Sequence, residues 1–170
     1  NVTGKKSDVM DCQWIQKLHT FGLLGASFRP ADAYCVARTY LRLRDDLIAG
    51  STSQIQLMQK ALHQMNLQLS HVLSDITGSS GLAIIAAMIA GQRDPIALAE
   101  LASRRVKSTK DEIAKALIGD WREEHLYCLA QAHRMYLRYQ LDIAQCDAKL
   151  EDELEKLPNK VDPNLKPLPT

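Results

Sequence analysis

Apolar residues recur along the middle of the chain with a period of seven. Leu41, Ile48, Ile55, Leu62, Leu69 and Ile76 mark the repeat, and Met58, Met65 and Val72 fill its intermediate positions. A heptad pattern sustained over about four repeats is the signature of coiled-coil packing. It predicts one helix from Asp32 to Ser74, ~60 Å long at 1.5 Å per residue. Gly50-Ser51-Thr52-Ser53 weakens the pattern and predicts a local kink. A second series follows near the end of the chain: Leu129-Ala130, Tyr136-Leu137 and Ile143-Ala144, then Leu150, Leu154 and Leu157. It predicts a helix from Asp120 to Leu157, stopped by Pro158. Two heptad helices bracketing short ones predict an all-α fold: a long antiparallel, coiled-coil-like arm with a tip of short helices. Each seam needs a partner, from the same chain or a second copy, and a dimer through the arm is expected.

The shorter elements follow from local signals. Asp8 to His19 reads as a helix broken by Gly22 and Gly25. Thr77-Gly78-Ser79-Ser80-Gly81 is expected to end the long helix. Leu82 to Ala90 reads as a short apolar helix stopped by Gly91 and far too short to span a bilayer. Asp94-Pro95 is an N-cap followed by a favoured first-turn proline. Thr109 with Glu112, and Asp120 with Glu123, have capping-box spacing.

Composition narrows the function classes. The 170 residues carry a net charge of +1, so nucleic-acid contact must use local patches rather than bulk charge. No leader pattern or membrane segment is expected. Cys12, Cys35, Cys128 and Cys146 form no CxxC pair and read as reduced, mostly buried thiols of a cytoplasmic protein. His19, His63, His71, His125 and His133 are scattered and read as packing or surface residues.

The first residues hold the sharpest chemistry. Asp8 and Asp11 are three apart, behind Lys5 and Lys6, where an apolar-periodic segment begins. On a helix they share a face. Two carboxylates there are hard oxygen donors for Mg²⁺. They are equally ordinary first-turn acids that complement the helix dipole, with Ser7 as N-cap.

The wording of the segment, Thr3-Gly4-Lys5-Lys6-Ser7-Asp8-Val9-Met10-Asp11-Cys12-Gln13-Trp14, continues through Leu18-His19 and Phe21-Gly22-Leu23-Leu24. It resembles the end of the RuvC-like nuclease domain of DEDD-type insertion-sequence transposases, the IS-one-ten family with its IS-eleven-eleven branch and the related Piv/MooV invertases. Ser27-Phe28-Arg29-Pro30, Asp75-Ile76-Thr77-Gly78, Ile113-Ala114-Lys115-Ala116-Leu117, Glu124-His125-Leu126 and Ala144-Gln145-Cys146-Asp147 extend the resemblance over nearly the whole chain. It implies a bacterial DNA transposase or site-specific recombinase, guided by a structured RNA, with DNA and RNA as partners. Asp8 and Asp11 match the last two of the family's four metal-binding acids, and Mg²⁺ is the implied cofactor. The first Asp, the Glu and a catalytic Ser have no counterparts here, so the chain reads as an internal fragment. The implied division is 1–28 as the end of the nuclease domain, 29–157 as arm and tip, and 158–170, with four of the six prolines, as a linker.

Three further patches are basic or phosphate-competent. Arg104, Arg105, Lys107 and Lys110 cluster in a predicted loop and, with Lys5 and Lys6, are the candidate nucleic-acid contacts. Arg38 and Arg42 share a helix face. Either set reads also as ordinary solvated charge. Gly78-Ser79-Ser80-Gly81 before a helix could offer N–H groups to a phosphate, or be a plain turn.

Overall fold

The computed structural model describes residues 8–25 and 32–157. Among them are seven helices and no strand: α1 (Asp8–Thr20), α2 (Asp32–Gln64), α3 (Leu69–Val72), α4 (Ser79–Ile89), α5 (Pro95–Glu100), α6 (Lys110–Ala116) and α7 (Glu123–Glu155). The fold is all-α. α2 and α7 pack side by side as the arm, and α3 to α6 form the tip. The arm is antiparallel. Arg44 pairs with Asp147, Ser51 with Gln140, and the Met65 carbonyl with the Asp120 N–H. No helix among the described residues is long and apolar enough to cross a membrane.

Over the half of α2 away from the tip, the contact face follows the intermediate series of the predicted heptad pattern, three residues on from the leading one. The buried face of α2 runs through Ala37, Ser51, Met58, Ala61 and Met65. The predicted series grades from exposed to buried: Leu41 is 44% exposed, Ile48 38%, Ile55 half-buried and Leu62 2%. The reason is geometric. A straight α-helix turns by ~20° per heptad relative to a strict seven-residue repeat. Residues aligned with the contact face at Leu62 have rotated off it three heptads earlier. α7 covers the seam from within the same chain, through Leu129, Ala132, Tyr136 and Cys146.

The half of the arm away from the tip is held by polar contacts. Arg44 Nε donates to Asp147 Oδ1 at 2.6 Å, and that carboxylate raises the guanidinium pKa. Gln140 Nε2 donates to the buried Ser51 Oγ at 3.0 Å, and Cys146 Sγ to the Tyr40 carbonyl at 3.4 Å. The Gly50–Ser53 stretch does not break α2. It is the docking point of α7, where the Tyr139 ring lies against Gly50. Thr52 and Ser53 return their hydroxyls to the Ile48 and Ala49 carbonyls.

α2 ends ten residues before the predicted Ser74. Asn66 takes a left-handed φ of +56°, its N–H bonds the His63 carbonyl, and the Leu67 N–H reaches back to the Leu62 carbonyl. This is the Schellman arrangement, and Gly22 and Gly91 end α1 and α4 in the same way. Leu69 and Ile76 keep the heptad count and are buried, but they belong to α3 and to the following turn. Asp94 caps α5 by accepting from the Ile96 and Ala97 N–H groups, and Thr109 and Glu112 form the expected capping box. The Asp120–Glu123 box does not form. The Asp120 N–H donates instead to the Met65 carbonyl, and α7 starts with Arg122, whose side chain makes no capping bond and pairs with Glu124. Met58, Leu62, Met65, Ile84, Ile85, Met88, Leu98, Ile113 and Leu129 form one core spanning the tip and the adjoining half of the arm.

This gradient sets unequal stabilities along one stripe. Leu62→Ala is expected to cost about 2–5 kcal/mol as a buried truncation. Leu41→Ala and Ile48→Ala should each cost about 1 kcal/mol or less. Urea unfolding monitored by circular dichroism decides it, and equal costs along the stripe would restore the strict heptad seam.

Candidate functional site

Asp8 and Asp11 stand in the first turn of α1, exposed and three residues apart, hence on one face. Val9, Met10, Trp14 and Ile15 beside them are exposed too, and α1 contains no buried residue. The carboxylates are hard donors of the type Mg²⁺ takes, but the ion prefers an octahedral shell. Among the described residues no group of three or more His, Cys, Asp or Glu side chains could hold a metal ion. The pair therefore fits a magnesium ion as two ligands of a larger set. Lys5, Lys6 and Ser7 lie outside the described residues.

A second constellation forms at the tip. The turn after α3 is folded on itself, with Asp75 Oδ1 accepting from the Thr77 N–H at 2.7 Å and from its hydroxyl at 2.6 Å. The first turn of α4 presses against this turn so closely that a Cβ on Gly81 would stand 2.2 Å from the Ile76 carbonyl oxygen. Across from it runs the loop between α5 and α6. A cleft of about 520 Å³ separates the two, with Asp75, Ser79 and Ser80 on one wall and Ser103, Arg105 and Lys107 on the other.

The loop is pinned by side chains rather than by secondary structure. Ser80 Oγ, nine-tenths buried, accepts the Ser103 N–H at 2.9 Å. Ser108 Oγ donates to the Val72 carbonyl at 2.8 Å. Arg104, Arg105 and Lys107 project into solvent, and none makes an ion pair with another described residue.

Lys110 differs from its neighbours. It is the first residue of α6, not part of the loop, and its ammonium donates to the carbonyls of Ala99, Glu100 and Ala102. An ammonium has three N–H groups, so these bonds use all of them on the C-terminal end of α5. Beside it, the Thr109 N–H bonded to Glu112 holds that carboxyl below its ordinary range.

The sequence identified the Gly78–Gly81 turn and the Arg104–Lys110 run as separate candidates. The structure brings part of each, Gly78 to Ser80 and Arg105 with Lys107, to one cleft, and leaves Gly81, Arg104 and Lys110 out of its lining. The hydroxyls of Ser80 and Ser108 that join them carried no signal of their own, because a lone serine has no spacing to read. The thiols depart from expectation: Cys12, Cys35 and Cys128 are exposed and only Cys146 is buried. Their positions on helices of the arm and on α1 lie away from the core-facing stripes.

Gly81→Ala should destabilise the chain by about 1–3 kcal/mol, the usual range for overpacking. Thermal melting checks it, and an unchanged Tm would mean that the turn yields freely.

No family model matches the chain, and no curated protein and no solved structure is detectably similar to it.

Proposed function

We propose that the chain is part of a DNA transposase or site-specific recombinase of a bacterial mobile element, directed by a structured RNA. One observation carries this reading: the ordered resemblance that begins at Gly4-Lys5-Lys6-Ser7-Asp8-Val9-Met10-Asp11 and runs to Asp147, with the two acids in the places of metal ligands. Their exposed position on one face of α1 supports it, since ligands of a shared ion must be accessible to the groups that complete the site. When bound, magnesium polarises a phosphodiester and lowers the pKa of an attacking hydroxyl or water. Asp8 and Asp11 contribute two of its oxygen ligands and hold them on a helix rather than a loop. The arm joins the nuclease end of the enzyme to a later domain and pairs protomers.

A second reading treats the chain as a non-catalytic helical oligomerisation or nucleic-acid-binding module. The position of the acids favours it also, because first-turn carboxylates stabilise α1 by its dipole alone. The two readings part on mutation. In the complete enzyme, Asp8→Asn or Asp11→Asn should reduce magnesium-dependent recombination at least ~100-fold, more than the loss of an outer-shell partner. Circular dichroism should stay unchanged. Activity within a few-fold of the parent in either variant refutes the metal role.

The dimer in this proposal uses the flanks of the arm. The seam itself is filled by α7, so a second protomer meets Leu41 and Ile48, which are large, apolar and exposed on one flank of α2. Sedimentation at micromolar concentration should give a dimer for the parent and a monomer for Ile48→Asp. Leu62→Asp is the wrong probe, because it places a charge in the core. A monomeric parent refutes the pairing.

A further inference from the structure

We propose that the tip cleft is a binding site for the phosphodiester backbone of a nucleic acid. Arg105 and Lys107 make the phosphate contacts, and Ser80 and Ser108 are positioning residues. The choice of nucleic acid as the ligand rests on the recombinase reading above. The site itself rests on the packing of the tip.

Its two cations line a concave surface of about 520 Å³ and lack acidic partners among the described residues. In a chain of net charge +1, that is a local excess at a place where the backbone has been fixed at some expense. A loop without secondary structure loses backbone entropy for each residue ordered. Here inward-turned groups hold it: the Ser103 N–H on Ser80, the Ser108 hydroxyl on the Val72 carbonyl, and Lys110 on the end of α5. The outward-turned groups are the cations. Pre-ordering a charged loop reduces what a ligand must supply to order it.

The chemistry of the walls defines the ligand. Serine hydroxyls accept or donate and Arg and Lys only donate, so the cleft suits phosphate oxygens and offers no pattern that distinguishes bases. Asp75 is the acid on its rim, and its Oδ1 is engaged by Thr77. Val106, between the two cations, packs against the core and with Val72 and Leu73 forms an apolar part of the cleft wall beneath the charges. Lys110 is excluded from the contact set by its three carbonyl bonds.

The test uses the full chain with fluorescent duplex DNA and an RNA hairpin, each in two unrelated sequences, titrated from 50 to 200 mM salt. Binding should be sequence-blind, with a log–log salt slope of about −2 for duplex DNA, from two phosphates neutralised. Arg105→Ala/Lys107→Ala should weaken binding at least tenfold and bring the slope to near zero. Lys110→Met, compared below its melting temperature, should leave the slope at about −2. Ser108→Ala should weaken binding and Ser108→Thr restore it. An unchanged slope in the double variant overturns the cleft, as does a lowered slope in Lys110→Met. Equal loss of affinity in Ser108→Ala and Ser108→Thr overturns the positioning role. Tighter binding to phosphatidylserine vesicles than to either nucleic acid, or no nucleic-acid binding at 50 mM salt, also overturns the cleft. None of these results bears on Asp8 and Asp11, whose recombination assay stands apart.

Discussion

The bond from the Asp120 N–H to the Met65 carbonyl, 2.8 Å long, closes the tip of the molecule. Everything between these residues is a loop that leaves the arm at the end of α2 and returns at the start of α7. Gly119 must be a glycine for the bond to form, because a Cβ there would stand 2.3 Å from the same carbonyl oxygen. Asn66 makes the exit by turning left-handed, and the Gln68 N–H ties it down on the Ala116 carbonyl at 2.8 Å. With both ends clamped, α3 to α6 fold over the last turns of the arm and share its core. The cleft is a consequence of this closure: the turn into α4 and the loop into α6 become neighbours because both ends of the segment are fixed.

Much of this was legible in residue spacing, where the signal is local. Asp94-Pro95 and the Thr109–Glu112 box each announced a helix start, and each makes the bonds its spacing implies. Gly22 and Gly91 announced two helix ends, and both adopt positive φ. Asn66 carries the same information more weakly, because asparagine takes the left-handed region less readily than glycine and sits here inside an unbroken apolar series. The series misled at this point. Leu69 and Ile76 continue the count of sevens and are buried, yet the chain has turned away from the helix axis before reaching them. Burial preserved the period while the geometry behind it changed.

The arm also explains why the leading series of a heptad pattern can differ from its buried seam. A repeat of seven is faithful to a supercoiled pair and drifts on a straighter helix. Leu62 and Met58 lie in the core whichever register is chosen, so the apolar end of the arm does not discriminate. The far end does, and there the contact face holds Arg44 and Ser51, which no search for apolar periodicity would select. Polar contacts of this kind specify alignment more than they stabilise; Arg44 and Asp147 are each more than a third exposed, where an ion pair is worth little. They fix which residues of α2 and α7 are opposed, and the apolar end supplies the free energy.

α1 stands apart from this economy of burial. Thirteen residues with no buried side chain are close to the length at which an isolated helix is marginal in water. Its first-turn acids, its Schellman end and the basic Lys17 and His19 in its last turn all favour the helix locally. They do nothing for Met10, Trp14 and Phe21, which remain more than half exposed and are spaced to share one side. A helix that carries such a stripe is built to be covered. Under the proposed reading the cover is the rest of the nuclease domain, and the surface that buries Trp14 also brings the remaining ligands to Asp8 and Asp11. The acids lie roughly 60–120° round the helix from Trp14, so under that reading the contact that stabilises α1 and the groups that complete its chemistry sit side by side.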